Sequence, residues 1–389
     1  MKRQAAAFYS IIQAAIWGTY GFLFSFANRY LLARGLTSLR IGLILGVATG
    51  ISFLLQPLLT ALTDRSRFFT CRRILFLCAA MMTLCAAALL LRLSTAAVVG
   101  LYALACVCLQ VLPAFANALG MNAVRSGRAL NFGLSRGIGS VCFGVSAQAA
   151  VPLIDRFGLG TVPFCSAVLG LLLMAAVSVF PELEARPDGQ AEQPTPALAF
   201  FRANKRFAVL LVGVVLLYIG HNVLSNCMYQ IAVYKGDGNA QGTALLIAAV
   251  IELPTMFLFS KLLKLAKCER WLCLSFVFFS VRLALTLLLP GVAGLYAAQA
   301  AQLLGFALFT VSSVYYVGMR IDKRDVVKGQ TYLAVANTLG CLIAHFLGGA
   351  LIDGIGVGAA LGICTAISVL GGAVAIGSVV SKSAGKQPA

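Results

Sequence analysis

Long apolar runs alternate with short polar connections along almost the whole chain. A helix that crosses a bilayer needs about 20 predominantly apolar residues. Twelve runs reach that length, and they lie near residues 7–33, 40–62, 74–93, 96–120, 130–154, 161–180, 206–234, 241–266, 271–290, 292–319, 329–353 and 357–381. The pattern therefore predicts an all-α integral membrane protein with twelve transmembrane helices.

The longest polar interruption divides the twelve runs into two groups of six. It covers residues 181–205, and its prolines and charges are typical of a linker. The hexapeptide LIDRFG (153–158) ends the fifth run, and LIDGIG (351–356) ends the eleventh, 198 residues later. We therefore predict two pseudo-symmetric six-helix bundles, residues 1–180 and 206–389, joined by a cytoplasmic linker.

Composition and charge agree with a membrane protein. Of 389 residues, 60% are hydrophobic and 11% are charged, whereas soluble domains carry roughly a quarter charged residues. The net charge of +18 does not indicate nucleic acid, because the basic residues lie in short connections between apolar runs. The basic residues are distributed unequally between the two sides of the predicted spans. By the positive-inside rule, this distribution places both termini and the linker in the cytoplasm. We expect a multi-pass monomer in the lipid bilayer of the cell membrane.

Motifs of catalysis and metal binding are missing from the sequence. The twelve cysteines are scattered without a CxxC pair, and with two histidines they assemble no zinc-ligand pattern. We find no nucleophile elbow, no catalytic acid pair and no ATP-binding loop. We therefore expect neither an enzyme, nor a cofactor, nor a bound metal ion.

Three ionised residues lie well inside apolar runs: Arg136, Glu252 and Arg282. A charge at the bilayer centre costs from roughly 2.5 to well over 10 kcal/mol, so each must face a cavity or a partner. Glu252 and Arg282 lie at similar depth on consecutive spans, either as a structural ion pair or as a pair used by substrate or proton. His221 and His345 are also mid-span, where a histidine either packs or carries a proton.

Polar and aromatic residues recur at helical spacing in several spans. They include Trp17 in the first span, Asn226 in the seventh and Gln302 in the tenth. Each row of polar residues, taken alone, is explained as well by hydrogen bonds between helices as by the lining of a cavity. Several rows together favour a hydrated central cavity, and amides beside aromatic faces suit hydroxyl-rich or planar organic solutes.

The stretch FGLSRGIGSVCF (132–143) resembles the fifth span of the oligosaccharide:proton symporters, the lactose permease group of the major facilitator superfamily. Phe132, Gly133, Arg136 and Gly139 match that pattern, and Phe143 replaces its tryptophan. The resemblance implies the major facilitator fold. It also implies that Arg136 and Phe143 line the substrate site, the first by hydrogen bonding and the second by stacking.

Further stretches extend the resemblance over most of the chain. QPLLTALTDR is similar to the loop motif that follows the second span, and Asp64 and Arg65 match it. IELP and SVR resemble the substrate-binding glutamate of span eight and the arginine of span nine, which are Glu252 and Arg282 here. The eleventh span resembles that of the phenylpropionate-transporter-like branch.

The departures from this pattern concern the proton machinery of the family. Its span-four glutamate falls at Asn117 or Ala118, and its span-seven aspartate falls near Asn226. Its span-ten histidine and glutamate fall at Gly305 and Leu308. The resemblance thus leaves the coupling ion open.

If protons are coupled, Glu252 is the leading carboxylate, with Arg282, His221 and His345 in supporting roles. The three intramembrane charges sum to +1, which a carboxylate substrate would balance, whereas a neutral sugar or nucleoside would use Glu252 as an acceptor. We expect a secondary transporter of a small polar organic solute (sugar, nucleoside or aromatic acid) that works by alternating access. Efflux of amphipathic compounds and a non-transporting receptor are the alternatives.

Overall fold

The computed structural model describes residues 2–65, 68–126, 130, 132–181 and 196–380. These residues form α-helices joined by short turns, and no strand occurs among them. The helices are α1 (Lys2–Thr19), α2 (Ala27–Leu32), α3 (Ser38–Arg65), α4 (Cys71–Ala88), α5 (Thr95–Arg125), α6 (Phe132–Phe157), α7 (Thr161–Val179), α8 (Ala197–Ala203), α9 (Lys205–Asn226), α10 (Met228–Tyr234), α11 (Ala240–Leu265), α12 (Cys268–Leu288), α13 (Gly291–Ala300), α14 (Phe306–Arg320) and α15 (Val326–Val380).

Eleven helical segments of the described chain are long and apolar enough to cross a membrane. The last of them, α15, has 55 residues, and its backbone leaves the helical region at Gly356 (φ 80°, ψ 167°). It therefore contains both the eleventh and the twelfth predicted spans. The prediction of an all-α, multi-span membrane protein is confirmed.

The two copies of the repeated hexapeptide have the same local turn. LIDRFG ends at Gly158 and LIDGIG ends at Gly356, and each glycine has φ of 80°. A side chain at such a φ would be strained, so glycine is required to reverse the chain between consecutive spans. The prediction of two six-helix bundles stays a prediction, and most of the linker, residues 182–195, lies outside the described residues.

Three predicted spans are interrupted helices. The first span changes to a π-helix at Tyr20–Phe24, between α1 and α2. The seventh is broken at Cys227, between α9 and α10, and the tenth passes through a 3-10 turn at Ala301–Leu303. By contrast, α11 continues through Pro254. Hydrophobic length reveals a span but not these local changes of helix type, because they depend on packing.

The described contacts divide the chain into two compact units. Unit 1 consists of Met1–Pro187, Ser225–Val250 and His345–Val357. Unit 2 consists of Asp188–Leu224, Ile251–Ala344 and Gly358–Ala389.

Glycines permit close helix packing within unit 1. A Cβ at Gly42 on α3 would lie 2.2 Å from the backbone oxygen of His345 on α15, and one at Gly349 would lie 2.3 Å from that of Ser38. Likewise, a Cβ at Gly242 on α11 would lie 2.9 Å from the backbone oxygen of Ala147 on α6. Small residues at these points let backbones approach to van der Waals distance, as is common in membrane helices.

Aromatic side chains dominate the core of unit 2. Tyr218 on α9 packs edge-on against Phe279 of α12 and Phe309 of α14, with ring centroids 5.7 and 5.6 Å apart. Phe276 is fully buried in the same cluster. This core fixes α9, α12 and α14 relative to one another and thereby positions the polar residues described below.

Candidate functional site

Arg136 on α6 lies against the aromatic face of Trp17 on α1. Its guanidinium carbon is 4.0 Å from the centroid of the Trp17 ring, a cation–π geometry that contributes roughly 0.5–2 kcal/mol. Nη1 of Arg136 also donates a hydrogen bond of 2.8 Å to Oγ of Ser140, one helical turn further along α6. These contacts hold a charged group beside a half-buried aromatic surface.

A buried amide connects Trp17 to neighbouring polar groups. Gln13, one turn earlier on α1, accepts a hydrogen bond of 3.1 Å from Nε1 of Trp17. The amide nitrogen of Gln13 donates to the hydroxyl of Tyr9 at 2.8 Å and to Oδ1 of Asn117 at 3.3 Å. Both ends of the Gln13 amide are therefore satisfied, and the Trp17 ring has a defined orientation.

One face of the first span is only half-buried. Its residues recur at helical spacing and include Ser10, Trp17, Tyr20 and Phe24. Trp17 stacks on Tyr20 at 5.1 Å, and Tyr20 contacts Phe24 at 5.5 Å between ring centroids. Because Arg136 borders this face, contact with lipid would be costly, and the face suits a polar cavity.

The aromatic row continues to His345 and an amide cluster in unit 1. The rings of Phe24 and His345 meet edge-on, with centroids 5.8 Å apart. Nδ2 of Asn226 lies 3.4 Å from Nδ1 of His345, which is a long hydrogen bond. Asn28 donates to the backbone oxygen of Asn226 at 2.6 Å and accepts from Gln230 at 2.7 Å.

In unit 2, Arg282 is enclosed by neutral polar partners. Its guanidinium donates to Oε1 of Gln299 through Nη2 at 2.5 Å and through Nε at 3.2 Å. Nη1 lies 3.2 Å from Nδ1 of His221, whose ring stacks on Phe306 with centroids 4.9 Å apart. Arg282 is only 4% exposed, so these contacts compensate the loss of hydration.

Glu252 has an amide partner of its own. Nε2 of Gln302 donates to Oε1 of Glu252 at 2.6 Å, and both side chains are buried. Oε1 of Gln302 has no hydrogen-bond partner among the described residues. Glu252 is within electrostatic range of Arg282. The two residues also have separate amide partners, Gln302 for Glu252 and Gln299 for Arg282, and their similar depth along the spans did not predict these partners.

The predicted site residues thus fall into two clusters. The first includes Trp17, Asn117, Arg136, Asn226 and His345, and the second consists of Glu252, Arg282, His221 and Gln302.

The other positions from the resemblance have varied placements. Phe143 is half-buried on α6, and its backbone oxygen lies against Gly21 of the first span. Gly305 precedes α14, and Leu308 is fully buried in the core of unit 2. The side chains of Asp64 and Arg65 lie outside the described part of the chain, although both residues belong to the backbone of α3.

Each helix interruption lies beside a predicted site residue. The π-helix begins three residues after Trp17, the break at Cys227 follows Asn226, and the 3-10 turn contains Gln302. Interrupted helices near binding sites are common in transporters, because they bring polar backbone and side-chain groups to the same place. Gln13 and Gln299 belong to the polar rows of the first and tenth spans, four and three residues from Trp17 and Gln302. The structure places Gln13 against Trp17 and Gln299 against Arg282, a role that helical spacing alone did not predict.

Comparison with solved structures identifies the fold. The nucleoside transporter NupG matches with a TM-score of 0.77 and 15% identity over 98% of this chain and 99% of that chain. An auto-inhibited POT family peptide transporter matches with a TM-score of 0.73 and 11% identity over 100% and 99%. A bacterial homolog of the human lysosomal transporter Spinster, inward-facing and unoccupied, matches with a TM-score of 0.65 and 13% identity over 98% and 93%.

The helical fold and the buried charges define the class as a polytopic transporter of the major facilitator type. The sequence matches the MFS_1 like family over residues 7–361, and the chain belongs to that family. Comparison with curated proteins gave no match. The predictions of the superfamily, of a secondary transporter for a small organic solute, and of a protein that is not an enzyme are confirmed.

Proposed function

We propose that the chain transports a neutral solute that combines a planar ring with hydroxyl groups, of which a nucleoside is the leading example. The observation that carries this proposal is the position of Arg136 over Trp17, with Gln13 hydrogen-bonded to the ring nitrogen. A base stacks on exposed aromatic faces, and ribose hydroxyls pair with amides and a guanidinium. The likeness in fold to a nucleoside transporter is compatible with this substrate class.

Arg136 supplies the polar contact in this proposal. A guanidinium has five N–H donors in a fixed plane, and one of them, on Nη1, donates to Ser140. Phe143 and Trp17 provide stacking surfaces, while Asn117 and Asn226 provide amides. An aromatic carboxylate is the second candidate, because a guanidinium forms bidentate hydrogen bonds to a carboxylate.

Glu252 is the proposed proton-coupling residue. Its carboxylate accepts from Gln302 in a buried position, where binding of a proton removes a costly charge. Arg282 and His221 are linked by a hydrogen bond and adjust the electrostatics near Glu252, and His345 has the corresponding role in unit 1. We further propose a monomer in the cell membrane with cytoplasmic termini, as the distribution of basic residues favours.

Uptake into proteoliposomes tests the substrate. Radiolabelled uridine is compared with lactose and 3-phenylpropionate, with an inward proton gradient and without it. We expect saturable uridine uptake that Arg136→Gln reduces at least tenfold. Arg156→Gln is the matched control, since Arg156 is on the same helix, is exposed and also lies over an aromatic ring, at 5.4 Å from Phe157.

The other outcomes separate the alternatives. Uptake of 3-phenylpropionate alone, lost in Arg136→Gln, would replace the nucleoside by the carboxylate. Saturable uridine binding without counterflow would contradict a nucleoside as the transported solute. Uridine uptake that is insensitive to the proton gradient, in wild type and in Glu252→Gln alike, would remove Glu252 from the mechanism.

A further inference from the structure

A basic cavity opens at the ends of four helices of unit 2, away from both polar clusters. It is formed by the end of α8, the start of α9, the end of α14 and the last turn of α15. Its volume is about 610 Å³, within the range of roughly 300–1,000 Å³ that is typical of small-ligand sites.

Four cationic side chains line this cavity, and all belong to unit 2. They are Arg202, Lys205, Arg206 and Arg320, and each is exposed to solvent. None of the described lining residues is acidic. Arg320 also donates to Glu269 at 2.8 Å, outside the cavity, which fixes its guanidinium and leaves a net excess of positive charge.

The rest of the lining is suited to a phosphate with an apolar attachment. Tyr316 contributes a hydroxyl group, and the Ser378 hydroxyl also lines the cavity but donates its proton to the backbone oxygen of Ala375 at 2.7 Å. The first turn of α9 lies at the same cavity and brings the positive end of its helix dipole to it. Val379 and Val380 form an apolar side, and Val380 is 65% exposed. Cationic side chains beside an apolar surface are suited to a phospholipid, because the phosphate headgroup can contact the cations and the glycerol region can contact the apolar side chains.

The positive-inside rule explains why basic residues accumulate at this end of the spans, but it requires only loops of positive charge. It does not require four cations to converge on one cavity with hydroxyl groups. Basic pockets between transmembrane helices are known to hold anionic lipid headgroups. In the orientation proposed above, this cavity opens at the cytoplasmic leaflet.

We propose that this cavity is a binding site for a phosphate group, carried by an anionic phospholipid or by a soluble phosphate. Arginine forms bidentate hydrogen bonds to phosphate oxygens, and Arg202 and Arg206 supply two such groups, while Arg320, held by Glu269, adds positive charge. The site is independent of the transported solute.

The test is a fluorescence titration of the purified full-length protein with a short-chain phosphatidylglycerol that carries a fluorophore on one acyl chain. The pocket variant is Lys205→Gln/Arg206→Gln. The control variant is Lys261→Gln/Lys264→Gln, which removes the same charge from exposed positions at the end of α11 outside the cavity. We expect binding to weaken about tenfold or more in the pocket variant and to be unchanged in the control.

Competition then distinguishes the two sources of phosphate. Displacement of the probe by sodium phosphate or glycerol 3-phosphate at similar affinity would assign the site to a soluble ligand, and displacement only by unlabelled phosphatidylglycerol would assign it to a lipid. Equal weakening in both variants would overturn the proposal in favour of diffuse charge attraction. Unchanged binding in the pocket variant, or equally tight binding of phosphatidylcholine, would also overturn it.

Discussion

The carboxylate of Asp353 accepts hydrogen bonds from the backbone N–H groups of Ser38 and Leu39, at 3.2 and 2.7 Å. It thereby caps α3 from the end of the eleventh span, where a negative charge interacts favourably with the helix dipole. The equivalent aspartate of the repeated hexapeptide, Asp155, accepts from Arg29 at 3.2 Å and from Asn239 at 2.9 Å, directly before α11. Both copies of the repeat therefore tie the end of one span to the start of another within unit 1.

Asp353→Asn is expected to loosen the contact between α3 and the end of the eleventh span. The amide retains one acceptor but loses the charge that strengthens both bonds, so we expect a loss of about 1 kcal/mol. The measurement is labelling of Ser38→Cys by an impermeant maleimide after replacement of the native cysteines, because Ser38 is buried. Labelling should be faster in Asp353→Asn and unchanged in the control Asp322→Asn, which alters an exposed carboxylate. Equal rates in all three proteins would contradict this role.

Gly42→Ala is expected to destabilise unit 1. Its Cβ would lie 2.2 Å from the backbone oxygen of His345, which cannot move without displacing α15. We expect a loss of about 1–3 kcal/mol, as for other overpacked sites, seen as a lower melting temperature in detergent. Gly100→Ala is the matched control, because nothing lies within 4 Å of its Cβ and alanine favours the helix. If both variants melted alike, the close approach of α3 and α15 would be wrong.

Two substitutions of Trp17 distinguish the contribution of its aromatic face from that of its hydrogen bond to Gln13, which orients the ring. Trp17→Phe keeps an aromatic face for Arg136 but loses the hydrogen bond to Gln13, so we expect a several-fold increase in KM for uptake. Trp17→Ala removes both and should abolish uptake at the same substrate concentration. Equal KM values for wild type and both variants would show that the ring does not contact the solute.

Gln299→Leu is expected to destabilise unit 2 strongly. It removes the acceptor of two Arg282 donors, leaving a buried cation with fewer partners, and we expect a cost of about 3 kcal/mol. Gln110→Leu is the control, because its buried amide nitrogen has no hydrogen-bond partner among the described residues and its loss should be close to neutral. The comparison is made by thermal unfolding of both variants in the same detergent. A melting temperature of Gln299→Leu equal to that of wild type would refute the importance of this contact.

The two clusters were only partly predictable from the sequence. Arg136, Glu252 and Arg282 stood out because a charge in an apolar run is energetically expensive, and Trp17, Asn226 and Gln302 stood out by helical spacing. The way in which polar residues pair did not stand out, since Asn226 contacts His345 across 119 positions and Gln13 contacts Asn117 across 104. The expectation that Glu252 and Arg282 lie at similar depth gave no information on the amides that bind each of them.

By itself, the sequence determined the number and extent of the apolar spans and the repeated hexapeptide, because hydrophobic length and glycine conformation are local properties of the chain. It also determined that buried charges need compensation. Only the tertiary structure decided where the first, seventh and tenth spans change helix type, which amide faces each charge, and which helix end Asp353 caps. Those features depend on contacts between residues that are distant in sequence, and their energies arise only when the helices pack.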